Sequence, residues 1–230
     1  MGTDVSISRI TDNELYIQLL PRATQRAFQL AKTFQFLSRS PWYLAGGTAL
    51  ALQVGHRQSV DLDFFIPRTD FDISQLERHL LKTNQWDTSY RQEGTLYGTL
   101  LKAKMSFIAY PFFKPTRDRV AIGHIRMLTP KDVAAMKIIA ISQRGRKRDF
   151  VDLYWYCTHQ EPLLNVLLNS LQQYPGQENN LNHILNSLVY FEDAEEDPMP
   201  SIKFQVEWKQ VKKFFMREVT QTSKAFLGLT

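Results

Sequence analysis

Residues 44–65 contain the pattern that most restricts the fold of this chain, LAGGTALALQVGHRQSVDLDFF. Two glycines separate a short apolar segment from an apolar helix predicted at residues 48–54, whose first residue is a threonine. In residues 60–66, apolar side chains alternate with Asp61 and Asp63, which is the period of a β-strand with one buried face. The order strand, glycine turn, helix and strand therefore predicts a sheet with helices packed on it.

Asp61 and Asp63 are expected on one face of this strand, opposite an apolar face formed by Val60, Leu62, Phe64 and Ile66. At a rise of about 3.3 Å per residue, their Cβ atoms lie about 6.6 Å apart. Two negative charges at that separation repel by roughly 2.5 kcal/mol at an effective dielectric of about 20. A divalent cation relieves the repulsion, and hard oxygen ligands suit Mg²⁺ or Mn²⁺. The alternative is two solvated acids on an edge strand.

The glycine turn before the predicted helix is a possible phosphate site. Gly46 and Gly47 let the backbone approach a ligand closely, and the helix start offers free N–H groups and a partial positive charge. Thr48 either caps the helix or donates its hydroxyl to a phosphate oxygen. Arg57 and Ser59, on the return to the strand, are further candidates for phosphate binding or for orienting the acids. The alternative is an ordinary glycine bend between a strand and a helix.

GGTALALQVGHRQSVDLDFF resembles the first motif of the AbiEii/AbiGii (MenT-like) toxin family, which are minimal nucleotidyltransferases of the DNA polymerase β superfamily. Residues 131–154, KDVAAMKIIAISQRGRKRDFVDLY, are similar to the family's lysine-helix and RDxxDL motifs. The resemblance implies an α+β fold. It consists of a nucleotidyltransferase-type mixed β-sheet with flanking helices in residues 1–128, and a mainly helical domain in residues 129–230. The helical domain is expected to contribute to the active-site cleft.

Lys137 is an isolated cation in an apolar segment. Residues 133–141 are apolar on every side except at this lysine, and a helix of that kind is buried. An ammonium in a dry environment needs a partner. The possibilities are a nucleotide phosphate, a carboxylate such as Asp149, or solvent reached along the lysine stem. The resemblance implies that this lysine takes part in activity.

Four cations lie within the five residues that directly precede Asp149, namely Arg144, Arg146, Lys147 and Arg148. Asp149 can N-cap a helix at residues 150–157 and hold the preceding arginines. The resemblance implies instead that it is a catalytic carboxylate, with Asp152 more structural. Arg146 and Arg148 are predicted contacts for a triphosphate or for an RNA backbone. A solvated basic loop is the alternative.

The predicted strand at residues 100–110 differs from the superfamily pattern. Polymerase β-type transferases commonly have a third carboxylate on a later strand, but no Asp or Glu occurs between Gly94 and Arg117. Lys104 and Ser106 stand where that acid is expected. The general base is therefore unassigned, and Asp149 is the preferred substitute.

Composition limits the class of protein and its partners. The 230 residues have a net charge of +5, which favours a polyanionic partner. The single cysteine, Cys157, excludes an internal disulfide and fits a reducing cytoplasm. Because the sequence has no membrane-length apolar run and no signal peptide, we expect a cytoplasmic protein without a membrane partner.

These observations and the resemblance together predict a metal-dependent enzyme that transfers NMP from an NTP to an acceptor. The resemblance implies that the acceptor is RNA, such as the tRNA 3′ end, and that the enzyme is the toxin of a type IV toxin–antitoxin or phage-defence system. A cognate antitoxin need not form a stable complex with it. Two alternatives remain open: an enzyme of the same fold that nucleotidylates a protein or a small molecule, and a catalytically silent nucleic-acid-binding relative.

Overall fold

The computed structural model describes residues 6–116, 118–177 and 180–226, and the chain divides into two compact units. The first unit ends at Thr129 and contains a mixed β-sheet with helices, and the second begins at Pro130 and is helical. The predicted α+β class is confirmed. Within the described ranges, no helix is both long and apolar enough to cross a membrane.

The described part of the first unit has eight strands in one sheet. They are β1 (Ser6–Arg9), β2 (Tyr43–Ala45), β3 (Leu62–Ile66), β4 (Trp86–Gln92), β5 (Thr95–Leu100), β6 (Ala103–Ala109), β7 (Asp118–Ile122) and β8 (Ile125–Leu128). The spatial order is β1-β7-β8-β2-β3-β6-β5-β4. The pairs β1/β7, β2/β8 and β3/β6 are parallel, and the others are antiparallel. Since β3 lies between β2 and β6, residues on β3 have a neighbouring strand on each side.

The helices of the first unit are α1 (Arg22–Ala31), α2 (Gln35–Arg39), α3 (Gly46–Val54) and α4 (Ile73–Leu81). One face of the sheet packs on an aromatic core. Phe107 of β6 stacks on Phe64 with ring centroids 5.3 Å apart, and the edge of Trp42 contacts it at 5.3 Å. Leu62, Phe64 and Ile66 are almost fully buried, whereas Asp63 between them is partly exposed. The prediction that Asp63 lies opposite the apolar face is confirmed.

The predicted strand at residues 60–66 begins too early. In the structure β3 starts at Leu62, so Asp61 precedes the strand, and the side chain of Val60 is 49% exposed. The main-chain carbonyl oxygen of Val60 accepts a hydrogen bond from the hydroxyl of Thr24, and that of Asp61 contacts the hydroxyl of Thr48. Because these two carbonyl groups bind side chains, the regular strand begins only after them.

The second unit consists of helices in its described residues. They are α5 (Pro130–Arg144), α6 (Lys147–His159), α7 (Leu163–Gln173), α8 (Leu181–Ser187), α9 (Glu192–Glu195) and α10 (Trp208–Phe226). Helix α5 packs against α6, α7 and α8, which explains why its apolar residues are buried on nearly every side. Phe150 of α6 contacts the rings of Phe191, Trp208 and Phe215 in the core of this unit.

Substitution of Phe107 by alanine should destabilise the first unit by about 3–5 kcal/mol, because it leaves a cavity between several aromatic rings. Urea unfolding followed by tryptophan fluorescence measures the change. Phe112→Ala is the matched control, since that side chain is 69% exposed, and we expect a change within about 0.5 kcal/mol. Equal losses for the two variants would contradict the proposed core.

Candidate functional site

The glycine turn after β2 lies directly against a carboxylate. Ala45, the last residue of β2, pairs with Asp63 of β3. Gly46 follows with a φ of +69°, and a Cβ atom added to it would lie 3.3 Å from Oδ2 of Asp63. The positive φ favours glycine, and any larger residue would press its Cβ atom tightly against Asp63. The first turn of α3 and the carboxylate of Asp63 therefore lie next to each other.

Thr48 lies inside this turn but does not cap the helix. The N-cap position belongs to Ala45, because α3 begins at Gly46, two residues earlier than predicted. The buried hydroxyl of Thr48 lies 2.7 Å from Oγ of Ser59 and also contacts the main-chain carbonyl oxygen of Asp61. The prediction of a capping role is wrong. Thr48 instead fixes the segment that leads from α3 to the acids.

The carboxylate of Asp63 is oriented by a residue on the neighbouring strand. In the parallel pairing of β3 with β6, Asp63 lies opposite Ser106. Oγ of Ser106 donates a hydrogen bond of 2.6 Å to Oδ1 of Asp63. One carboxylate oxygen is thus held by Ser106, while the other faces Gly46. The sequence placed Ser106 where a third acid was expected, but this hydrogen bond depends on strand register, which the sequence pattern does not show.

Arg57 and Ser59 lie between α3 and β3, and both side chains are buried. The guanidinium of Arg57 donates a 2.7 Å hydrogen bond from Nη1 to the main-chain oxygen of Gln58. Their location close in sequence to Asp61 agrees with the expectation that they follow the glycine turn and precede the acids. Their roles in phosphate binding remain predictions.

The second unit contains a buried cluster of charges around Lys137. The Nζ atom of Lys137 lies 2.5 Å from Oδ1 of Asp149 and 2.6 Å from Oδ2 of Asp152. Arg144 donates from Nε and Nη2 to the two oxygens of Asp149, at 2.9 and 3.2 Å. Of the partners considered for Lys137, the carboxylate is the one observed, and the alternative of a stem that extends to solvent is wrong. Asp152, one helical turn after Asp149, was expected to be structural, but its ion pair with Lys137 was not predicted.

Asp149 is ionised within this cluster. Burial by itself raises the pKa of the carboxyl group, but the charges of Lys137 and Arg144 and their hydrogen bonds outweigh it, so the pKa is below its usual value. The prediction that Asp149 caps the helix is wrong, because α6 begins at Lys147 with Arg146 as its N-cap residue. The carboxylate of Asp197 instead accepts a 3.0 Å hydrogen bond from the main-chain N–H of Lys147, the first residue of α6.

The basic run before Asp149 is not a freely solvated loop. Nη2 of Arg146 lies 2.8 Å from Oδ1 of Asp197, although about half of the arginine side chain is exposed. The ammonium of Lys147 is buried, donates to the main-chain oxygen of Glu195 at 3.1 Å and lies 5.2 Å from the ring centre of Trp208. Arg148 is exposed. The basic run is therefore partly held by acidic residues of the same unit.

The acids of the first unit fit a divalent cation that arrives with a nucleotide. Across the described ranges, no group of three or more His, Cys, Asp or Glu side chains is arranged to hold a metal ion. Mg²⁺ is commonly bound by only one or two carboxylates, with substrate phosphates and waters completing the octahedron. Asp63 is one such carboxylate, and the missing Cβ of Gly46 leaves its Oδ2 accessible from the turn. Asp61, directly before β3, is the second candidate.

Asp149→Asn should lower the free energy of unfolding at neutral pH by about 3 kcal/mol, because the buried Lys137 and the half-exposed Arg144 lose a counter-charge. The folded-state pKa of Asp149 lies below the unfolded value of about 3.9. The wild-type contribution is therefore present above about pH 4 and is lost as the pH falls through the folded-state pKa. Urea unfolding at several pH values should show the difference between wild type and variant shrinking in acid. Glu196→Gln, at an exposed position, is the control. A stability difference between wild type and Asp149→Asn that does not change with pH would contradict the lowered pKa of Asp149.

Comparisons with known proteins agree with this architecture. An uncharacterized protein of Aquifex aeolicus (strain VF5) is 37% identical over 183 residues, which is 78% of this chain and 87% of that protein. The crystal structure of a candidate nucleotidyltransferase from H. pylori is 15% identical. It covers 91% of this chain and 99% of its own, with a TM-score of 0.53, which shows a shared fold. MenT4, a nucleotidyltransferase toxin from Mycobacterium tuberculosis, is 13% identical over 87% of this chain and 86% of its own. Its TM-score is 0.49.

The family model described as "Nucleotidyl transferase AbiEii toxin, Type IV TA system" matches residues 30–89 and 107–227. The matched residues include the glycine turn, both acids of the first unit and the charge cluster of the second. They make up well over half of the chain. The chain therefore belongs to the AbiEii family of nucleotidyl transferase toxins and is a nucleotidyltransferase.

Proposed function

We propose that the chain transfers NMP from an NTP to an RNA acceptor, such as the tRNA 3′ end, and releases pyrophosphate. The observation that best supports this is the position of the Gly46 turn against the carboxylate of Asp63. A Cβ atom added to Gly46 would lie 3.3 Å from Oδ2 of Asp63. Backbone N–H groups at a helix start suit phosphate oxygens, and carboxylates suit the cation that accompanies them. A triphosphate needs both, side by side.

The candidate site residues of the first unit have the following proposed roles. The N–H groups of Gly46 and Gly47 bind phosphate oxygens of the NTP, and Arg57 and Ser59 bind phosphate or orient the acids. Asp61 and Asp63 hold Mg²⁺ or Mn²⁺, which when bound neutralises phosphoryl charge and makes the attacking hydroxyl more acidic. Ser106 keeps the carboxylate of Asp63 in one orientation through its 2.6 Å hydrogen bond.

The residues of the second unit have roles that rest more on the family. Lys137 and Asp149 lie in the two motifs for which the family resemblance implies a catalytic role. Asp149 is the proposed substitute for the missing third acid. Arg144 and Lys137 keep its carboxylate ionised, which makes it a weak base. Arg146 and Arg148 are proposed contacts for the triphosphate or the RNA backbone.

The proposed setting is the bacterial cytoplasm, where NTPs and RNA are present, as the toxin of a type IV toxin–antitoxin or phage-defence system. In a system of this type the antitoxin need not form a stable complex with the toxin. Transfer of a nucleotide to the 3′ end of tRNA would block aminoacylation and so stop translation.

The transfer reaction itself is testable with labelled nucleotides. Incubation of the protein with each α-labelled NTP, Mg²⁺ and total RNA should place the label in RNA. The double variant Asp61→Asn, Asp63→Asn should lose the label by a factor of at least about 100, because cation binding is removed without loss of volume. Asp70→Asn, a surface acid of the same unit, should behave as wild type.

Other outcomes of that experiment identify the alternatives. Label in protein rather than RNA would favour a different acceptor. RNA binding with no label anywhere would favour a silent relative, the alternative motivated by Ser106 in place of an acid. Full labelling by the double variant would show that Asp61 and Asp63 have been assigned the wrong role.

Ser106→Ala should raise the Mg²⁺ concentration needed for half-maximal transfer by about tenfold, because a hydrogen bond to a charged group contributes about 1.5–3 kcal/mol. Ser106→Thr keeps the hydroxyl and should restore most of the affinity. A titration of the initial rate with Mg²⁺ measures both variants. An unchanged Mg²⁺ requirement in Ser106→Ala would show that the hydrogen bond does not position Asp63 for the cation.

A further inference from the structure

Two paired tyrosines on the sheet have no part in the reaction described above. Tyr90 of β4 and Tyr97 of β5 are 46% and 40% exposed, and their ring centres lie 5.5 Å apart at an interplanar angle of 31°. Tyr90 donates its hydroxyl hydrogen to the side-chain oxygen of Gln92. Large aromatic rings on a surface offer flat faces for a ligand with its own π-system.

A β-bulge brings the two rings together. In a regular strand Thr88 and Tyr90 would point to the same face. The register of β4 against β5 shifts between them. Thr88 and Arg91 both bind Glu77 of α4, at 2.7 and 2.9 Å, and so lie on the helix-covered face. The extra residue turns Tyr90 to the opposite face, beside Tyr97, which is a known effect of bulges near functional sites.

The tyrosines share one cross-strand row with the acid of the proposed site. Asp63 pairs with Ser106, Ser106 with Tyr97, and Tyr97 with Tyr90. With strands about 4.8 Å apart, the backbone of Tyr97 lies about 10 Å from that of Asp63 and the backbone of Tyr90 about 14 Å. Partial burial and the negative charge of Asp63 both raise the pKa of Tyr97, in agreement with this proximity.

The order of the strands gives the row a direction. The glycine turn follows β2, on one side of β3, whereas Ser106 and the tyrosines lie on β6, β5 and β4, on the other side. In phosphoryl transfer the attacking and leaving oxygens are roughly in line. If pyrophosphate leaves toward the turn at Gly46, the attacking hydroxyl enters from the side of β6. The nucleotide that bears this hydroxyl then extends toward Tyr97.

A cation on the same face suits the backbone of such a nucleotide. Lys104 is exposed and precedes Ser106 by two residues on β6, so its side chain lies on the same face of the sheet as Ser106 and the two tyrosines. A phosphodiester of the acceptor strand is a matching partner for this charge. The face therefore combines stacking surfaces with a cation, the combination that proteins use for single-stranded nucleic acid.

We propose that Tyr97 and Tyr90 form the subsite for the nucleobase of the acceptor RNA, next to its attacking hydroxyl. This inference rests on the proposed function, because the direction of the row depends on where pyrophosphate leaves. Tyr97 stacks on the base, and Tyr90 supports the ring of Tyr97 and extends the surface. Stacking needs only a π-face, so the subsite accepts different bases.

A binding experiment tests the subsite without any reaction. The probe is a short single-stranded RNA with 2-aminopurine at its 3′ end, whose fluorescence falls when the base stacks on an aromatic ring. Wild type, Tyr97→Phe and Tyr90→Phe should quench the probe. Tyr97→Leu and the double leucine variant should lose the quenching and bind about tenfold or more weakly. Tyr190→Leu, at a similarly exposed tyrosine of the second unit (48%), should quench as wild type does.

Steady-state kinetics separate this inference from the proposed function. With RNA as the acceptor, the leucine variants should raise the KM for RNA about tenfold and leave the KM for NTP unchanged. A raised KM for NTP instead would mean that the tyrosines hold the incoming base, which overturns the inference while transfer remains. Tyrosine-dependent quenching by a wild type that transfers no nucleotide would show that the tyrosines bind RNA, and would overturn the proposed function together with the acceptor role of this surface. Quenching and KM values unaffected by leucine would overturn the subsite alone. Circular dichroism of each variant verifies that it is folded.

Discussion

The pairing of β2 with β3 is the contact on which the candidate site depends. Because Ala45 lies opposite Asp63, the next residue must leave the strand beside that carboxylate. A φ of +69° favours glycine there, and a Cβ atom would lie 3.3 Å from Oδ2 of Asp63, a tight contact. The helix start proposed to bind phosphate and the acid proposed to hold a cation are thus fixed relative to each other by one strand pair.

The cluster in the second unit obeys a different constraint. Two carboxylates with no exposed surface would be very costly without cations, and Lys137 and Arg144 supply them within 3 Å. The same contacts that hold α5 against α6 therefore also keep Asp149 ionised. Removal of Lys137 would leave two buried charges without this partner, so a loss of activity in such a variant would also reflect a loss of stability. Asp61 and Asp63 are the more informative positions for a test of chemistry.

Local patterns in the sequence predicted what local physics determines. Alternation placed Asp63 opposite the core, and the apolar run around Lys137 indicated a buried helix, both as observed. The start of β3 and the N-cap of α6 were predicted wrongly, because each depends on a distant partner. Thr24 and Thr48 bind the carbonyl groups that precede β3, and Asp197 binds the first N–H of α6. The row from Asp63 to Tyr90 was not predicted, since it requires three strand registers and a bulge.

Ser106 in place of a third carboxylate changes how the proposed reaction gains its rate. A serine hydroxyl can orient Asp63 but does not accept a proton at neutral pH. Asp149 is ionised, yet its lowered pKa makes it a weak base, and general-base catalysis is most effective when the pKa lies near the working pH. Phosphoryl transfer, however, gains most of its rate from positioning and from charge stabilisation. Ser106, on the strand that has no acid, therefore suits such a reaction because it holds Asp63 in a single orientation.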